Sequence, residues 1–447
     1  MSDPVVVSAV RTPVGSFGGA LRDIPATKLG GIAIGAALTR AGVPADALDE
    51  VLMGNIYQGA AGPNPARQAA VGAGVPYCVP SATINKLCGS GLKAIALAAQ
   101  AVRAGEADCI AAGGMESMSG APYALTQARW GQRMGHGELV DTMVLDGLWD
   151  CFYDCHMGMT AENLAEEYGI TRADQDRFAF QSQERCGSAT AEGRFVGQIV
   201  PVEVPPARRG QEAVVVDGDE HPRPDTSLEK LAQLRPAFRD DGSVTAGNAS
   251  GINDGAAAMV VVSEKAARAA GASPLATIRG TAAAGVDPRI MGIGPAPAIA
   301  KLLERLGLSL ADIDLLEVNE AFAAQTLAVG RELDWDEALV NVNGGAIALG
   351  HPVGASGARI AVTLLHEMSR RQVRRGIAAL CIGGGMGIAT LFEREEWYTP
   401  SRAPPLRASR RPVLPRLPRS PATRLRRLHQ LPPERLRSAA SAGPAGF

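Results

Sequence analysis

The stretch that decides the fold is TINKLCGSGLKAI, residues 83–95, in which a cysteine stands just before a helical pattern. From Leu92 onward, apolar residues recur at three- and four-residue steps, which is the period of an α-helix. Cys88 therefore lies where a loop turns into a helix, beside Gly89 and Gly91. The unpaired N–H groups of a helix start favour a thiolate and lower its pKa. Position alone leaves two interpretations open, a packed core cysteine or a nucleophile.

Strand and helix patterns alternate on both sides of this stretch, which predicts an α/β fold. VVVSAV at 5–10, for example, is typical of a buried strand. The second half of the chain repeats part of the first. SGLKAI at 90–95 parallels SGARIA at 356–361, and IAAGGM at 110–115 parallels CIGGGM at 381–386. The repeats predict two related α/β units with a site at their junction.

The composition is typical of a globular α/β protein and excludes several other classes. The chain has 447 residues, of which 46% are hydrophobic and 52 are glycine. The sequence shows neither a signal-peptide pattern nor a run of about 18 apolar residues, so we expect a cytoplasmic protein without a membrane span. Seven cysteines at irregular spacing predict free thiols. Cys155 and His156, with Cys151 nearby, lack a second ligand pair, so no metal site is predicted.

The net charge of −2 combines an acidic body with a basic tail. Residues 397–447 contain eleven arginines and one acid, a charge of +10, which leaves −12 for residues 1–396. Ten prolines and the absence of any period predict that this tail is disordered and has no role in catalysis. The arginines could contact nucleic acid. The acidic body and the lack of a set of stacking aromatics argue against such a partner.

Three further motifs carry groups that could act with Cys88. The loop NGGAIALGHPVGASGAR holds His351 between glycines and a proline, as a structural histidine or as a base for the thiol. AALCIGGGMGIATLF predicts two strands joined by a tight turn, with Cys381 at the end of the first strand. Its N–H groups could hold an oxyanion, since it matches no phosphate or dinucleotide loop. LLEVNEAFAAQ places Asn319 as a helix cap or as a group that orients water or a carbonyl.

Together these motifs resemble the thiolase family, and within it most closely the acetyl-CoA acetyltransferases. The motifs that carry the resemblance are, in chain order, CGSGLKAI, GMESMS, HMGMTAEN, TAGNASGINDGAAA, VNEAFA, NGGAIALGHPVGASGAR and CIGGGMG. The resemblance implies an α/β, thiolase-like fold of duplicated βαβαβαββ units, packed as a layered αβαβα core with an inserted loop domain. The domain boundaries implied are 1–118 for the N-terminal half, completed by about 250–271; 119–249 for the loop domain; 272–396 for the C-terminal half; and 397–447 for the tail.

The resemblance also implies an activity and a role for each reactive residue. The activity is acetyl-CoA C-acetyltransferase, a reversible Claisen condensation that proceeds through an acyl-cysteine in ping-pong order. Cys88 matches the nucleophile, and His351 matches the residue that activates it and donates into an oxyanion hole. Asn319 matches the residue that positions a water in that hole. Cys381 matches the acid/base that deprotonates the second acetyl-CoA. The N–H groups of Cys88 and Gly383 match a second oxyanion hole.

The remaining expectations concern ligands and partners. The resemblance places five residues along the coenzyme A channel: His156, Arg223, Phe238, Ala246 and Ser250. It implies acetyl-CoA, acetoacetyl-CoA and CoA as ligands, no metal or other cofactor, and a homotetramer with contacts through 119–145. A 3-ketoacyl-CoA thiolase of broader chain length and an acyl-CoA binder without turnover are the alternatives. A ketoacyl synthase would need a second His or Asn in place of Cys381.

Overall fold

The computed structural model describes residues 2–206 and 212–395. The predicted tail, 397–447, lies outside the described residues. The strands and helices of the N-terminal part are, in chain order, β1 (Pro4–Arg11), β2 (Gly15–Ser16), α1 (Ala26–Ala41), β3 (Glu50–Gly54), α2 (Pro65–Gly72), β4 (Ser81–Ile84), α3 (Ser90–Ala104) and β5 (Cys109–Ser117). The strand predicted from VVVSAV and the helix predicted after Cys88 are present as β1 and α3, and α1 ends at Gly42 in the left-handed conformation, with φ 64°.

The chain then leaves this half, returns to it, and builds a second half. The intervening segment contains β6 (Tyr123–Ala124), β7 (Val140–Asp141), β8 (Trp149–Asp150), β9 (Cys155–His156), α4 (Met157–Glu167), α5 (Arg172–Ala191), β10 (Val202–Val204), β11 (Val214–Val216) and α6 (Leu228–Ala232). The return consists of β12 (Asn253–Ser263) and α7 (Glu264–Ala270). The second half contains β13 (Ala276–Gly285), α8 (Pro295–Leu306), β14 (Leu315–Val318), α9 (Ala323–Leu333), α10 (Ala346–Leu349), α11 (Val353–Arg371), β15 (Arg375–Ile382) and β16 (Met386–Glu393).

The two halves share one strand order. The first sheet runs β4-β3-β5-β12-β1 and the second runs β14-β15-β16-β13. A parallel bridge between Leu316 and Val340 supplies the counterpart of β4. In the first half, β4, β3 and β5 pair in parallel, and β12 runs antiparallel to β5. In the second half, β14 and β15 pair in parallel, and β16 runs antiparallel to β15. The sheets meet where β1 pairs with β13, through Val5–Thr277 and Val6–Ala276. The predicted duplicated unit is confirmed.

Local details fix which residues of the two halves correspond. Asp49 accepts hydrogen bonds from two successive backbone N–H groups at the start of β5, at 2.7 and 2.9 Å. Asp314 does the same at the start of β15, at 3.0 and 2.7 Å. β1 and β13 also share a bulge at the same place. This register places Cys381 opposite Met115 and corrects the parallel drawn from sequence, which had placed it opposite Ile110. The sequence comparison had matched the two motifs through their glycines, and that alignment is shifted from the one that the structure shows.

Five layers follow from the way these elements pack. An apolar core that includes Leu92 and Ile95 of α3, and Ile360 and Leu364 of α11, fills the space between the two sheets. A second core joins α1 and α2 to the outer face of the first sheet. A third joins α8 to the outer face of the second sheet. The predicted αβαβα arrangement is confirmed, and it places the N-termini of α3 and α11 in the central layer.

Glycine allows the backbones of the central layer to approach closely. Glycine inside a strand often marks its end, but β5 continues through both Gly113 and Gly114. A Cβ at Gly114 would lie 2.2 Å from the carbonyl oxygen of Gly354, so this strand position touches the start of α11. Close approach, rather than strand termination, explains these glycines.

In the described part of the chain, no helix has both the length and the apolar character needed to cross a membrane.

Candidate active site

Cys88 lies in a tight turn before α3, as the sequence predicts. The Ser90 hydroxyl closes this turn by donating to the Leu87 carbonyl oxygen at 2.6 Å and accepting from the Lys86 N–H at 2.8 Å. Leu87 has a φ of 48°, in the left-handed region that disfavours residues with a Cβ. Strained backbone of this kind clusters at functional sites. The turn leaves the Cys88 side chain half-buried at the head of the helix.

Two backbone N–H groups face the sulfur of Cys88. They belong to Cys88 itself and to Gly383, and both lower the pKa of the thiol. Burial outweighs them and raises the pKa of Cys88 to about 11, so the lowered pKa expected from the helix start is wrong. A Cβ at Gly383 would lie 2.4 Å from the Met157 methyl carbon, so a larger residue would displace this wall. Paired N–H groups converging on one point form an arrangement that can hold an oxyanion.

Cys381 brings a second sulfur to the same site. It lies at the penultimate position of β15, where the sequence predicted it, and is 1% exposed. Burial raises the pKa of Cys381, and the negative charge of a Cys88 thiolate raises it further. The two cysteines lie close together, because Gly89, next to Cys88, packs against the side chain of Ile382, next to Cys381. Cys381 also packs in the apolar cluster that contains Met157 and Phe322. The two thiols therefore reach one site from different halves.

His351 is a buried, neutral imidazole that is held through its backbone N–H and through its ring. Its backbone N–H donates to Asn253 Oδ1 at 2.8 Å, and its ring Nδ1 lies 2.6 Å from the Ser356 hydroxyl. That hydroxyl donates to the Pro352 carbonyl oxygen at 2.9 Å, so it accepts the proton of Nδ1 and leaves Nε2 as the basic nitrogen. Burial and the charge of Arg359 lower the pKa of His351 to about 3.

Asn319 joins His351 to the rest of the site. Its Nδ2 lies 3.4 Å from Nε2 of His351 and 3.5 Å from Nδ1. Within residues 2–206 and 212–395, no group donates to its buried Oδ1. The helix-cap interpretation of Asn319 is wrong, because α9 begins at Ala323 with Phe322 as its cap. Val353, next to Pro352, packs in the cluster that Cys88 contacts, which brings the His351 loop to the thiol.

Three of the five residues expected along the coenzyme A channel lie together. The rings of His156 and Phe238 stack with their centroids 4.7 Å apart, and Phe238 meets Phe322 edge-on at 6.2 Å. The Ser250 N–H donates to the carbonyl oxygen of Ala321, next to Phe322, at 2.9 Å. His156 also caps α4, because its Nδ1 accepts the backbone N–H two residues ahead at 3.0 Å. This cluster leads toward Cys381, which packs with Phe322.

Arg223 and Ala246 lie apart from that aromatic cluster. Both are exposed. Arg223 follows His221, whose ring packs against Gly251, the neighbour of Ser250. Arg223 and Ala246 therefore lie on exposed loops, outside the group formed by His156, Phe238 and Ser250. In the described ranges, no three or more His, Cys, Asp or Glu side chains form a group suited to a metal ion.

Sequence reasoning missed several residues that shape this site. Asn253 and Ser356 hold His351 from its backbone and its ring. Tyr57 packs in the same apolar cluster as Cys88, and Glu116 accepts a hydrogen bond from the Tyr57 N–H. Glu116 was visible inside the GMESMS motif, and Ser356 inside SGARIA. No spacing rule connects them to Cys88, because the contacts join distant parts of the chain.

Comparison with known proteins decides the family. The model described as "Thiolase, N-terminal domain" matches residues 4–265, and "Thiolase, C-terminal domain" matches 272–394. The chain belongs to the thiolase family. The predicted resemblance is confirmed.

Relatives and solved structures place this thiolase more closely. An acetyl-CoA acetyltransferase of Pseudomonas aeruginosa is 57% identical over 395 residues, 88% of this chain and all of that protein. Another from Cupriavidus necator is 55% identical with the same coverage. The crystal structure of the Bacillus anthracis acetyl-CoA acetyltransferase has a TM-score of 0.86 at 51% identity, and human mitochondrial 3-ketoacyl-CoA thiolase has 0.84 at 45%. Each structural match covers 88% of this chain and 99% of the other.

Proposed function

We propose that this thiolase is an acetyl-CoA C-acetyltransferase that joins two acetyl-CoA molecules reversibly into acetoacetyl-CoA and CoA. The observation that carries the proposal is the packing of the Cys88 turn against the end of β15, which brings Cys88 and Cys381 together with the N–H groups of Cys88 and Gly383. A Claisen condensation by acyl transfer needs a nucleophile, a separate base and oxyanion donors. The relatives at 52–57% identity that are called acetyl-CoA acetyltransferase support the same reaction.

In the first half-reaction, Cys88 takes the acetyl group. His351 is neutral at rest and accepts the Cys88 proton at Nε2 only as the sulfur attacks, because its lowered pKa makes it a weak base. The thiolate attacks the carbonyl carbon of acetyl-CoA, and the N–H groups of Cys88 and Gly383 hold the oxyanion. The C–S bond to CoA then breaks, and the CoA sulfur leaves with the proton that His351 had taken. One such donor is worth about 100- to 1000-fold in rate.

In the second half-reaction, Cys381 acts as the base. Its raised pKa keeps Cys381 protonated at rest, so it must first lose its proton to solvent, and the resulting thiolate is then a strong base that suits removal of a weakly acidic methyl proton. Asn319 positions a water, and this water donates a hydrogen bond to the enolate oxygen of the second acetyl-CoA. The enolate carbon attacks the acetyl group on Cys88, the bond between the acetyl carbon and the Cys88 sulfur breaks, and acetoacetyl-CoA leaves while the proton held by Cys381 passes to the Cys88 thiolate. Storing the acetyl group on Cys88 divides one difficult reaction into two easier ones and gives ping-pong kinetics.

The ligands and the setting belong to the same proposal. The stacked His156–Phe238 pair and Ser250 line the coenzyme A channel, and Arg223 and Ala246 stand at its rim. The chemistry uses coenzyme A thioesters as substrates and requires no metal or redox cofactor. We place the enzyme in the cytoplasm as a homotetramer with contacts through 119–145, a segment that exposes large apolar side chains such as Trp130. Neither nucleic acid nor a membrane is a partner.

A substrate series tests this proposal. We expect thiolysis of acetoacetyl-CoA to show a higher kcat/KM than thiolysis of 3-oxoacyl-CoA thioesters with six or more acyl carbons, by about tenfold. Double-reciprocal plots for the two substrates should be parallel, as ping-pong order requires. Equal or higher kcat/KM on the longer thioesters would favour the broader 3-ketoacyl-CoA thiolase. Light scattering after gel filtration tests the tetramer.

A further inference from the structure

Glu320 is a buried side chain that stands next to Asn319 and has no role in the mechanism above. It is 1% exposed. Oε2 accepts from the Ser182 hydroxyl at 2.7 Å and from the Ile347 N–H at 3.2 Å. Oε1 accepts from Asn341 Nδ2 at 2.9 Å. Three donors from three segments therefore meet at one carboxyl group, and a buried polar network that is satisfied in this way makes its surroundings rigid.

The turn that carries Asn319 is held by Asn341 as well as by Glu320. The Asn341 side chain accepts from the Val318 N–H and donates to the Val318 carbonyl oxygen, both at 2.8 Å. Its second amide N–H donates to Glu320. Asn341 has a φ of 45°, in the left-handed region that asparagine tolerates better than most residues. Asn341 thus binds the residue before Asn319 and the residue after it, and the bond to Glu320 closes the turn.

Glu320 also binds the segment that leads to His351. One of its donors, the Ile347 N–H, lies in α10, which ends two residues before His351. Another donor, the Ser182 hydroxyl, accepts the Gly345 N–H at 3.0 Å. A Cβ at Gly345 would overlap the Glu320 carboxyl group, so this position requires glycine. The Glu320 carboxyl group therefore connects the turn before α9 to the start of the His351 loop and, through Ser182, to α5.

Asn319 and His351 depend on Glu320 to different degrees. His351 has two anchors of its own, because Asn253 accepts its backbone N–H and Ser356 accepts its ring N–H. Among the described residues, the Asn319 side chain has a hydrogen-bond partner in His351 alone, at 3.4 Å from Nε2. The direction of the Asn319 side chain is therefore set by its turn. Loss of the Glu320 bonds should displace Asn319 more than His351.

We propose that Glu320 is a positioning residue for the condensation step, which holds Asn319 where its water reaches the enolate oxygen. This role rests on the proposed function, in which Asn319 acts in the second half-reaction only. The first half-reaction uses Cys88, His351 and the oxyanion N–H groups, none of which bonds to Glu320. A displacement of about 1 Å at a positioning group can cost on the order of 100-fold in rate. Loss of the Glu320 bonds should therefore slow condensation and spare the acetylation of Cys88.

Single-turnover rates separate the two half-reactions. Rapid quenching after mixing with radiolabelled acetyl-CoA measures the acetylation of Cys88, and isolated acetyl-enzyme mixed with fresh acetyl-CoA measures condensation. In Glu320→Gln, we expect condensation to fall about 10- to 100-fold while acetylation stays within about threefold of the wild type, because the amide NH₂ must face one of the three donors. Equal falls in both rates would show a general loss of structure and would overturn the proposal. Wild-type rates in both steps would also overturn it.

The wild-type enzyme, measured alongside, distinguishes failure of this role from failure of the proposed function. Wild-type enzyme that neither acetylates Cys88 nor forms acetoacetyl-CoA would overturn the proposed function. Normal wild-type rates, with an unchanged ratio of condensation to acetylation in Glu320→Gln, would overturn the role of Glu320 alone.

Hydrogen exchange tests the same contacts without turnover. In folded Glu320→Gln, we expect backbone N–H groups of residues 316–322 and 343–350 to exchange about tenfold faster, because bonds that hold both segments are lost. Residues 360–371 of α11 should exchange as in the wild type. Peptide mass spectrometry measures these rates. Wild-type exchange in both segments would overturn the connection that Glu320 is proposed to make.

Ser182→Ala carries the test if Glu320→Gln does not fold. It removes one of the three donors, from a different helix, and leaves the Glu320 carboxyl group in place. We expect condensation to fall about fivefold, with acetylation near the wild-type rate, because a single hydrogen bond to the carboxyl group is lost. Condensation at the wild-type rate in folded Ser182→Ala, or an equal fall in acetylation, would overturn the proposal.

Glu393→Gln is the matched control, because Glu393 is a buried carboxylate at the far end of the same sheet. It is 5% exposed and accepts from Arg279 at 2.5 Å and from Arg375 at 2.8 Å. Arg375 begins β15, and Cys381 lies near the other end of that strand. Glu393→Gln should lower the free energy of unfolding and leave the ratio of condensation to acetylation unchanged. A fall in that ratio as large as in Glu320→Gln would show a general effect of removing a buried carboxylate and would overturn the proposal.

Discussion

The two halves of this thiolase share a fold and differ in chemistry. Their central helices start at equivalent places, but Cys88 precedes α3 where Gly354 stands at the start of α11. The C-terminal half supplies the remaining reactive side chains. In the register of the two halves, the counterparts of Asn319, His351 and Cys381 are Gly54, Asn85 and Met115. The comparison teaches that duplication built two similar helix starts, and that one asymmetric site forms where both meet.

Removing the proposed nucleophile, Cys88, tests this asymmetry with the largest expected effect. Cys88→Ala should lower condensation and thiolysis by about 10⁴-fold or more, since the acyl group has no other acceptor. Incubation with labelled acetyl-CoA should leave the protein unlabelled. Cys78→Ala, at an exposed cysteine, is the control and should keep full activity. Label retained on Cys88→Ala would show that another residue is the acceptor.

Cys381 and its counterpart Met115 separate chemistry from packing. Cys381→Ala should lower condensation about 100- to 10⁴-fold by removing the base, with little loss of stability. Met115→Ala should cost about 2–5 kcal/mol of unfolding free energy, because Met115 is fully buried against α1, and leave kcat of the folded enzyme near wild type. Initial rates and urea unfolding measure the two effects. A loss of condensation activity in Met115→Ala as large as that in Cys381→Ala would contradict this division between a catalytic and a packing residue.

His351 should make stability depend on acid pH, where its counterpart Asn85 has no group to titrate. Unfolded His351 takes up a proton near pH 6.5, but the folded side chain does so only near pH 3. Its contribution is therefore complete above pH 6.5 and is lost as pH falls toward 3. Relative to wild type, His351→Asn should gain about 1.4 kcal/mol of unfolding free energy per pH unit between 6 and 4. Parallel stability curves for the two proteins would contradict this origin.

The smallest expected effect concerns hydrogen bonds that both halves form at equivalent strand starts. Asp49 and Asp314 accept the same two backbone hydrogen bonds at equivalent strand starts. Asp49→Ala and Asp314→Ala should each cost about 1 kcal/mol of unfolding free energy, without a change in kcat. Chemical denaturation compares them. A severalfold difference between the two costs would break the equivalence of the halves.

Much of the fold could be predicted because its signals are local. The helical period after Cys88 and the apolar runs of β1 and β15 follow from neighbouring residues. The frame of the duplication could not be read from GGM alone, because glycine pairs recur in both halves. The path of β5 through Gly114 depends on contact with Gly354, which is distant in sequence.

The active site, like the fold, could be predicted only in part from the sequence. Motifs and family resemblance indicated Cys88, His351 and Cys381, and the structure brings their segments together. The sign of the Cys88 pKa shift could not be predicted, because burial, which the sequence does not show, outweighs the helix start. Glu116 was missed for the same reason, since its hydrogen-bond donors lie far from it in sequence, at residues 55–57 after β3 and at Gly354 in the first turn of α11.

The most direct test of the central claim is to map the acyl group in Cys381→Ala enzyme given acetyl-CoA. Peptide mass spectrometry of the trapped protein should find one acetyl group on Cys88, formed at a rate within about tenfold of the wild type, while acetoacetyl-CoA formation is lost. Acetylation that disappears together with condensation, or an acetyl group on a residue other than Cys88, would contradict the account.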